Sequence, residues 1–242
     1  MKNAAHDLLR MLGLPMIWVV LGLILKLFGT DAGPQARFAG VDWVLYAGLL
    51  AGMIAQARGW AGIRLSPYAA VLVFVALSVA CGMIYEASLT VDGTGVGGMH
   101  PDTRTSFVLA FGDYLMLALL CWGATRMLRL DFRGLFFLSA GISLTEGLVF
   151  TGVIWMVLAS GQPVLVPLYL GYYFLAYATF LAMPLLLLHA PSVWGQSPSP
   201  ARLGPVSLIV LGFSLGMASR TIWGLLYGPA MTQISDLQPA VD

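Results

Sequence analysis

Apolar residues fall in long blocks along this chain, separated by short polar runs. A helix of ~20 apolar residues is long enough to cross the ~30 Å hydrocarbon core of a bilayer. Seven blocks meet that length: Leu12–Gly29, Val41–Ala57, Pro67–Ala87, Ser106–Leu128, Gly134–Ala159, Val164–His189 and Pro205–Tyr227. The second is the shortest. The pattern predicts an all-α polytopic membrane protein, in which residues 1–242 form one bundle of about seven transmembrane helices. Lys2 and Arg10 precede the first block as they would in a signal peptide. The apolar run is long, however, and no small-x-small cleavage site follows within reach, so an uncleaved helix is expected.

Composition agrees with that pattern. The 242 residues are 59% hydrophobic and only 10% charged, where a soluble domain carries about 25% charged residues. A single core cannot hide so much apolar surface from water, so lipid must be the solvent. A net charge of +1 leaves no basic face for a nucleic acid. Two cysteines supply neither a disulfide framework nor a zinc pattern. No linker divides the chain, and "GQSPSPAR" (Gly195–Arg202) reads as a loop between two spans.

Basic residues give the spans a direction, because lysine and arginine collect on the cytoplasmic side. Lys2, Arg10, Arg58, Arg64, Arg126, Arg129, Arg133 and Arg202 fall in one set of connections, and only Arg37 and Arg104 fall in the other. The N-terminus is therefore expected in the cytoplasm and the C-terminus outside, in the cell (inner) membrane. The polar run 88–105 becomes an extracytoplasmic loop.

Helices in lipid associate by close packing of small residues. Four-residue spacing places such residues on one face. The faces so predicted are Gly48, Gly52 and Gln56; Ser78, Gly82 and Glu86; Ser139, Ser143, Gly147 and Thr151; and Gly212, Gly216, Arg220, Gly224 and Gly228. Two of these faces carry a charge, which points those charges at neighbouring helices. Pro184 is expected to kink the sixth block near its inner end. Tyr169 suits an interfacial aromatic belt, whereas Tyr173 and Tyr177 lie deeper and each hydroxyl needs a partner.

A charge inside the bilayer costs at least ~2.5 kcal/mol on insertion scales, and such a residue is a candidate for function. Asp113 and Arg220 each lie about seven residues from the outer end of their spans, so both sit ~10 Å deep. Equal depth and opposite sign predict a pair. Glu146, in "GISLTEG", falls near the midplane with no partner evident from the sequence, and a lone glutamic acid there is expected to hold its proton. Asp113, Glu146, Arg220 and Tyr173 are thus the candidate substrate or proton pathway.

The stretch "TVDGTGVGGMHPDTRTSF" (Thr90–Phe107) carries Asp92, His100 and Asp102, which form an outer group with Glu86 at the end of the preceding span. Its Gly-x-Gly-x-x-Gly lacks the preceding strand of a dinucleotide fold. No Gly-Lys-Ser/Thr follows, so it is not a P-loop. No paired-histidine, Cys-x-x-Cys or EF-hand spacing occurs, so neither metal nor cofactor is expected. "DGTGVGG" supplies turn residues, and "HPDTRTSF" reads as a helix start.

These features lead to an outward-facing polar cavity that binds or translocates a small solute or ion, proton-linked through Glu146. Two alternatives stay open. One is a non-catalytic subunit or assembly factor, whose small-residue faces would meet partner membrane subunits or further copies of the chain. The other is a membrane-interface enzyme with His100 as its acid or base.

Overall fold

A computed structural model describes residues 47–49, 51–52, 63–90, 103–128, 130, 132–188 and 203–227. Among these the chain is all-helical, without strands. Its elements are α1 (Pro67–Thr90), α2 (Thr103–Leu128), α3 (Phe132–Thr145), a π turn (Glu146–Phe150), α4 (Val153–Ala159), a 3-10 turn (Pro163–Leu165), α5 (Val166–Leu187) and α6 (Pro205–Tyr227). Four helices are long and apolar enough to cross a membrane: Pro67–Ala87, Ser106–Leu128, Pro163–Leu187 and Pro205–Leu226. A bent pair, Gly134–Phe150 with Val153–Ala159, makes a fifth if counted as one span. The predicted first span, most of the second and both chain termini lie outside the described residues.

Local chemistry sets the helix ends. Ser66 caps α1 by accepting a hydrogen bond from the Ala69 N–H at 3.3 Å, and Pro67 occupies the first helical position. α6 likewise begins on a proline, Pro205. α1 runs on to Thr90 and α2 starts at Thr103, so the expected loop 88–105 is shorter than the apolar pattern suggests. Polar residues at a helix end can continue the backbone ladder beyond the hydrocarbon, which hydropathy alone does not register. Pro184 lies inside α5, which continues past it to Leu187.

The clearest departure from the expected spans is in Gly134–Ala159. It is not one straight helix, since its two parts meet at 62°. The break begins where the Thr151 N–H donates to the Glu146 carbonyl at 2.9 Å, five residues back, and the Thr151 hydroxyl donates to the same oxygen at 2.9 Å. Gly152 then takes φ +60, a left-handed value that L side chains resist. The Trp155 indole N–H donates to the Leu148 carbonyl at 2.8 Å and ties the two arms together.

The five helical units close into a ring. α1 packs on α2 and α5, α3 packs on α5 and α6, and α2 packs on α6. Phe74, Leu109, Leu117, Leu135, Leu138, Phe180 and Leu181 form its apolar interior. A second cluster, Tyr85, Val153, Ile154, Val157 and Tyr173, seats α4 against α1 and α5. Tyr68, Leu72, Met127, Val206 and Leu225 are exposed on the exterior, which suits contact with lipid.

The small residues are used as contacts between helices. A Cβ on Gly212 would overlap the Leu138 carbonyl oxygen, and one on Gly141 would overlap that of Ile209. α3 and α6 therefore cross backbone against backbone. Just beyond the crossing, the Thr145 hydroxyl reaches the Phe213 carbonyl at 3.0 Å. The Ser139 face turns instead to α5, where the Ser139 hydroxyl lies 3.3 Å from the Tyr177 carbonyl. Gly48 and Gly52 meet Met183 and Leu186 of α5.

Candidate functional site

Three charged side chains meet inside the ring, each brought by a different element. Asp113 comes from α2, Arg220 from α6 and Glu146 from the π turn. The Arg220 Nε and Nη2 both donate to Asp113 Oδ2, at 3.3 and 3.1 Å. This is the pair expected from equal depth. The other Asp113 oxygen, Oδ1, accepts the Ser219 hydroxyl at 2.9 Å. Both oxygens of the buried carboxylate are therefore satisfied, as a charge in a low-dielectric interior requires.

Glu146 is not alone. Its Oε2 accepts the Tyr177 hydroxyl at 3.0 Å and stands 3.7 Å from Arg220 Nη2. The sequence made no partner evident for it, and the packing supplies one, because α6 crosses α3 closely enough to bring Arg220 alongside. The guanidinium also lies over the Phe150 ring, 3.9 Å from its centroid, in cation–π geometry. The π turn has a direct part in this. It presents Glu146 at one end to Tyr177 and Arg220, and Phe150 at the other end to Arg220. The site is not sealed: the side chains of Arg220 and Glu146 are 16% and 13% exposed, against 6% for Asp113.

Tyr173 reaches the backbone break beside the charges. Its hydroxyl donates to Thr151 Oγ1 at 3.2 Å, so it braces the break one turn away from the charges. Glu86 lies on the helix face expected for it. It lies buried on α1 and accepts the Ser106 hydroxyl at 3.0 Å. Asp92, His100 and Asp102 lie outside the described residues. Nothing in the residue pattern marks Ser219 or Phe150 as participants. Tyr177 was identifiable only as a deep hydroxyl in need of a partner.

These contacts rank the two tyrosines. At a pH where Glu146 is ionised, Tyr177→Phe removes a hydrogen bond to a charged group, worth about 1.5–3 kcal/mol. Tyr173→Phe removes a bond between neutral hydroxyls, worth about 0.5–1.5 kcal/mol. Unfolding in detergent is expected to show the larger loss for Tyr177→Phe, and equal losses would contradict an ionised acceptor at Glu146.

The helices and this buried cluster have the character of a multi-pass membrane protein. The chain matches no protein-family model, no curated protein and no solved structure among those compared with it.

Proposed function

We propose that the chain is a proton-linked carrier that binds and moves a small solute or ion across the cell membrane. In this reading the N-terminus is cytoplasmic and about seven helices form the bundle. Glu146 takes up and releases the proton, and the Asp113–Arg220 pair holds the fixed charge beside it. The observation that carries this reading is the position of Glu146 at the break in its helix, shared between Arg220 and Tyr177. Broken helices in a membrane occur where they line a site or a cavity, because the freed backbone groups need partners.

Charge balance supports the same reading. Among the three residues, two carboxylates face one guanidinium, so one negative charge is uncompensated when both acids are ionised. A proton on Glu146 neutralises the group, and so does a bound cation. Uptake of one therefore opposes uptake of the other, which is the coupling a carrier needs.

Glu146→Gln is nearly isosteric, and its amide oxygen can still accept from Tyr177. In proteoliposomes it is expected to abolish proton-linked flux, read as internal acidification with a trapped pH dye, while the folded protein and its melting temperature persist. Proton movement indifferent to this change would sink the proton link. Purification only with stoichiometric partner chains, and no flux by any variant, would favour an assembly subunit.

A further inference from the structure

Glu86 has no part in the charge cluster, yet it is a buried acid on the lining of the same ring. It sits on α1, 2% exposed, with its Oε1 bonded to Ser106 at the start of α2. One turn away on the same α1 face is Gly82, whose missing side chain leaves room for the Tyr114 ring. Tyr114 follows Asp113 on α2, but its ring turns into the bundle and packs against Phe180 of α5, with centroids 5.7 Å apart. Phe180 in turn meets the ring of Tyr177 at 6.3 Å, and the Tyr177 hydroxyl bonds Glu146. Tyr114 thus stands between two buried acids. It adjoins Asp113 on its own helix, and its ring lies over the Gly82 backbone one turn from Glu86.

We propose that Glu86 is the first acid on a proton route to Glu146, with Tyr114 as the hydroxyl between them. The proposal rests on the proton-linked reading above and adds the side from which the proton arrives. A proton taken up by the Glu86 carboxylate passes to the Tyr114 oxygen directly or through water. Tyr114 releases its own hydroxyl proton onward, and Glu146 receives it. Each group ends in its starting state except Glu146, which has gained one proton, so no other reactant is required. Chains of ionisable side chains form proton relays inside membranes, and a hydroxyl can pass a proton between two acids because it both accepts and donates. The ring supplies the position: Glu86 lies at the α1–α2 end of the bundle, and Glu146 lies deeper, at the break.

The route can be timed with infrared spectroscopy of the full chain in proteoliposomes after an external pH jump. The carboxyl band that disappears in Glu146→Gln reports Glu146. In the unaltered protein this band is expected to follow the jump promptly. In Glu86→Gln and in Tyr114→Phe it is expected to follow at least about tenfold more slowly, with unchanged final amplitude. Glu86→Asp keeps an acid at the position and is expected to retain most of the speed. Tyr114→Phe keeps the ring on Gly82 and removes only the hydroxyl, so it tests the route even if Glu86→Gln fails to fold. An unchanged rate in either variant overturns the proposed route. If Glu146→Gln stops flux but those rates are unchanged, the route falls and the carrier reading stands. If no carboxyl band belongs to Glu146, the proton link itself falls and takes the route with it.

Discussion

Arg220→Ala is expected to cost the fold about 3–5 kcal/mol, the loss seen when one partner of a buried ion pair is removed. The size follows from what stays behind. Asp113 loses both guanidinium hydrogen bonds and keeps only the Ser219 hydroxyl. Glu146 loses its nearby cation and keeps only Tyr177. Two carboxylates then remain in a low-dielectric interior with no positive charge among the described residues that meet there. Unfolding with increasing SDS in mixed micelles would measure the loss. The companion is Asp113→Asn with Arg220→Gln, which removes charge from both partners and leaves amides able to bond each other. It is expected to recover most of the stability, because a neutral hydrogen-bonded pair avoids the desolvation of two ions. A double variant as unstable as Arg220→Ala would show that the loss comes from Phe150 and Glu146, which both variants deprive of the guanidinium, and not from a stranded charge on Asp113.

The second large effect is expected from a single methyl group. Gly212→Ala places its Cβ on the Leu138 carbonyl oxygen. That oxygen belongs to the backbone of α3 and cannot swing aside as a side chain would. The helices must separate, at a cost near the upper end of the overpacking range, about 3 kcal/mol. Gly123→Ala is the control, since its Cβ would meet nothing within 4 Å. There the usual advantage of alanine in a helix, about 1 kcal/mol, should appear as neutral or increased stability. The same unfolding assay separates the two. Equal behaviour at both positions would mean that α3 and α6 do not touch as described. Gly141→Ala is expected to resemble Gly212→Ala, and the double variant to cost less than the sum, because both open the same crossing.

Hydropathy located much of the fold. Pro67–Ala87, Ser106–Leu128 and Pro205–Tyr227 are helical over the expected ranges, and Val164–His189 differs by two residues or fewer at either end. Lipid selects for continuous apolar length, and length is visible in one dimension. The break at Thr151 and Gly152 was not legible for the same reason. "LVFTGVIWMVLA" stays apolar straight through the turn, and hydropathy carries no information about direction. The Asp113–Arg220 pair could be inferred from depth alone, since both residues are counted from the same membrane surface. The partners of Glu146 could not. Tyr177 and Arg220 reach it through the rotations of α5 and α6 about their axes, which depend on contacts such as Gly141 against Ile209. Gly141 also falls off the Ser139–Ser143–Gly147 face that four-residue spacing selects, so that face pointed to α5 and left the α6 contact unseen.

The backbone crossing at Gly141 and Gly212 makes a fulcrum. Arg220 lies eight residues along α6 from Gly212, a lever arm of ~12 Å, and Glu146 lies five residues from Gly141, an arm of ~7.5 Å. α2 is clamped to the same lever, because Trp223 of α6 fills the space left by Gly112, next to Asp113. Asp113 and Arg220 therefore ride together on the α2–α6 side. Glu146 and Tyr177 stay with α3 and α5, which Ser139 holds together. The 3.7 Å approach of Arg220 to Glu146 is the charged seam between the two halves. With arms of ~12 Å, a rocking of about 10° displaces the arginine by ~2 Å. A tilt of that size would open the contacts of Arg220 with Glu146 and Phe150 and would leave both tight pairs, arginine on aspartate and tyrosine on glutamate, closed.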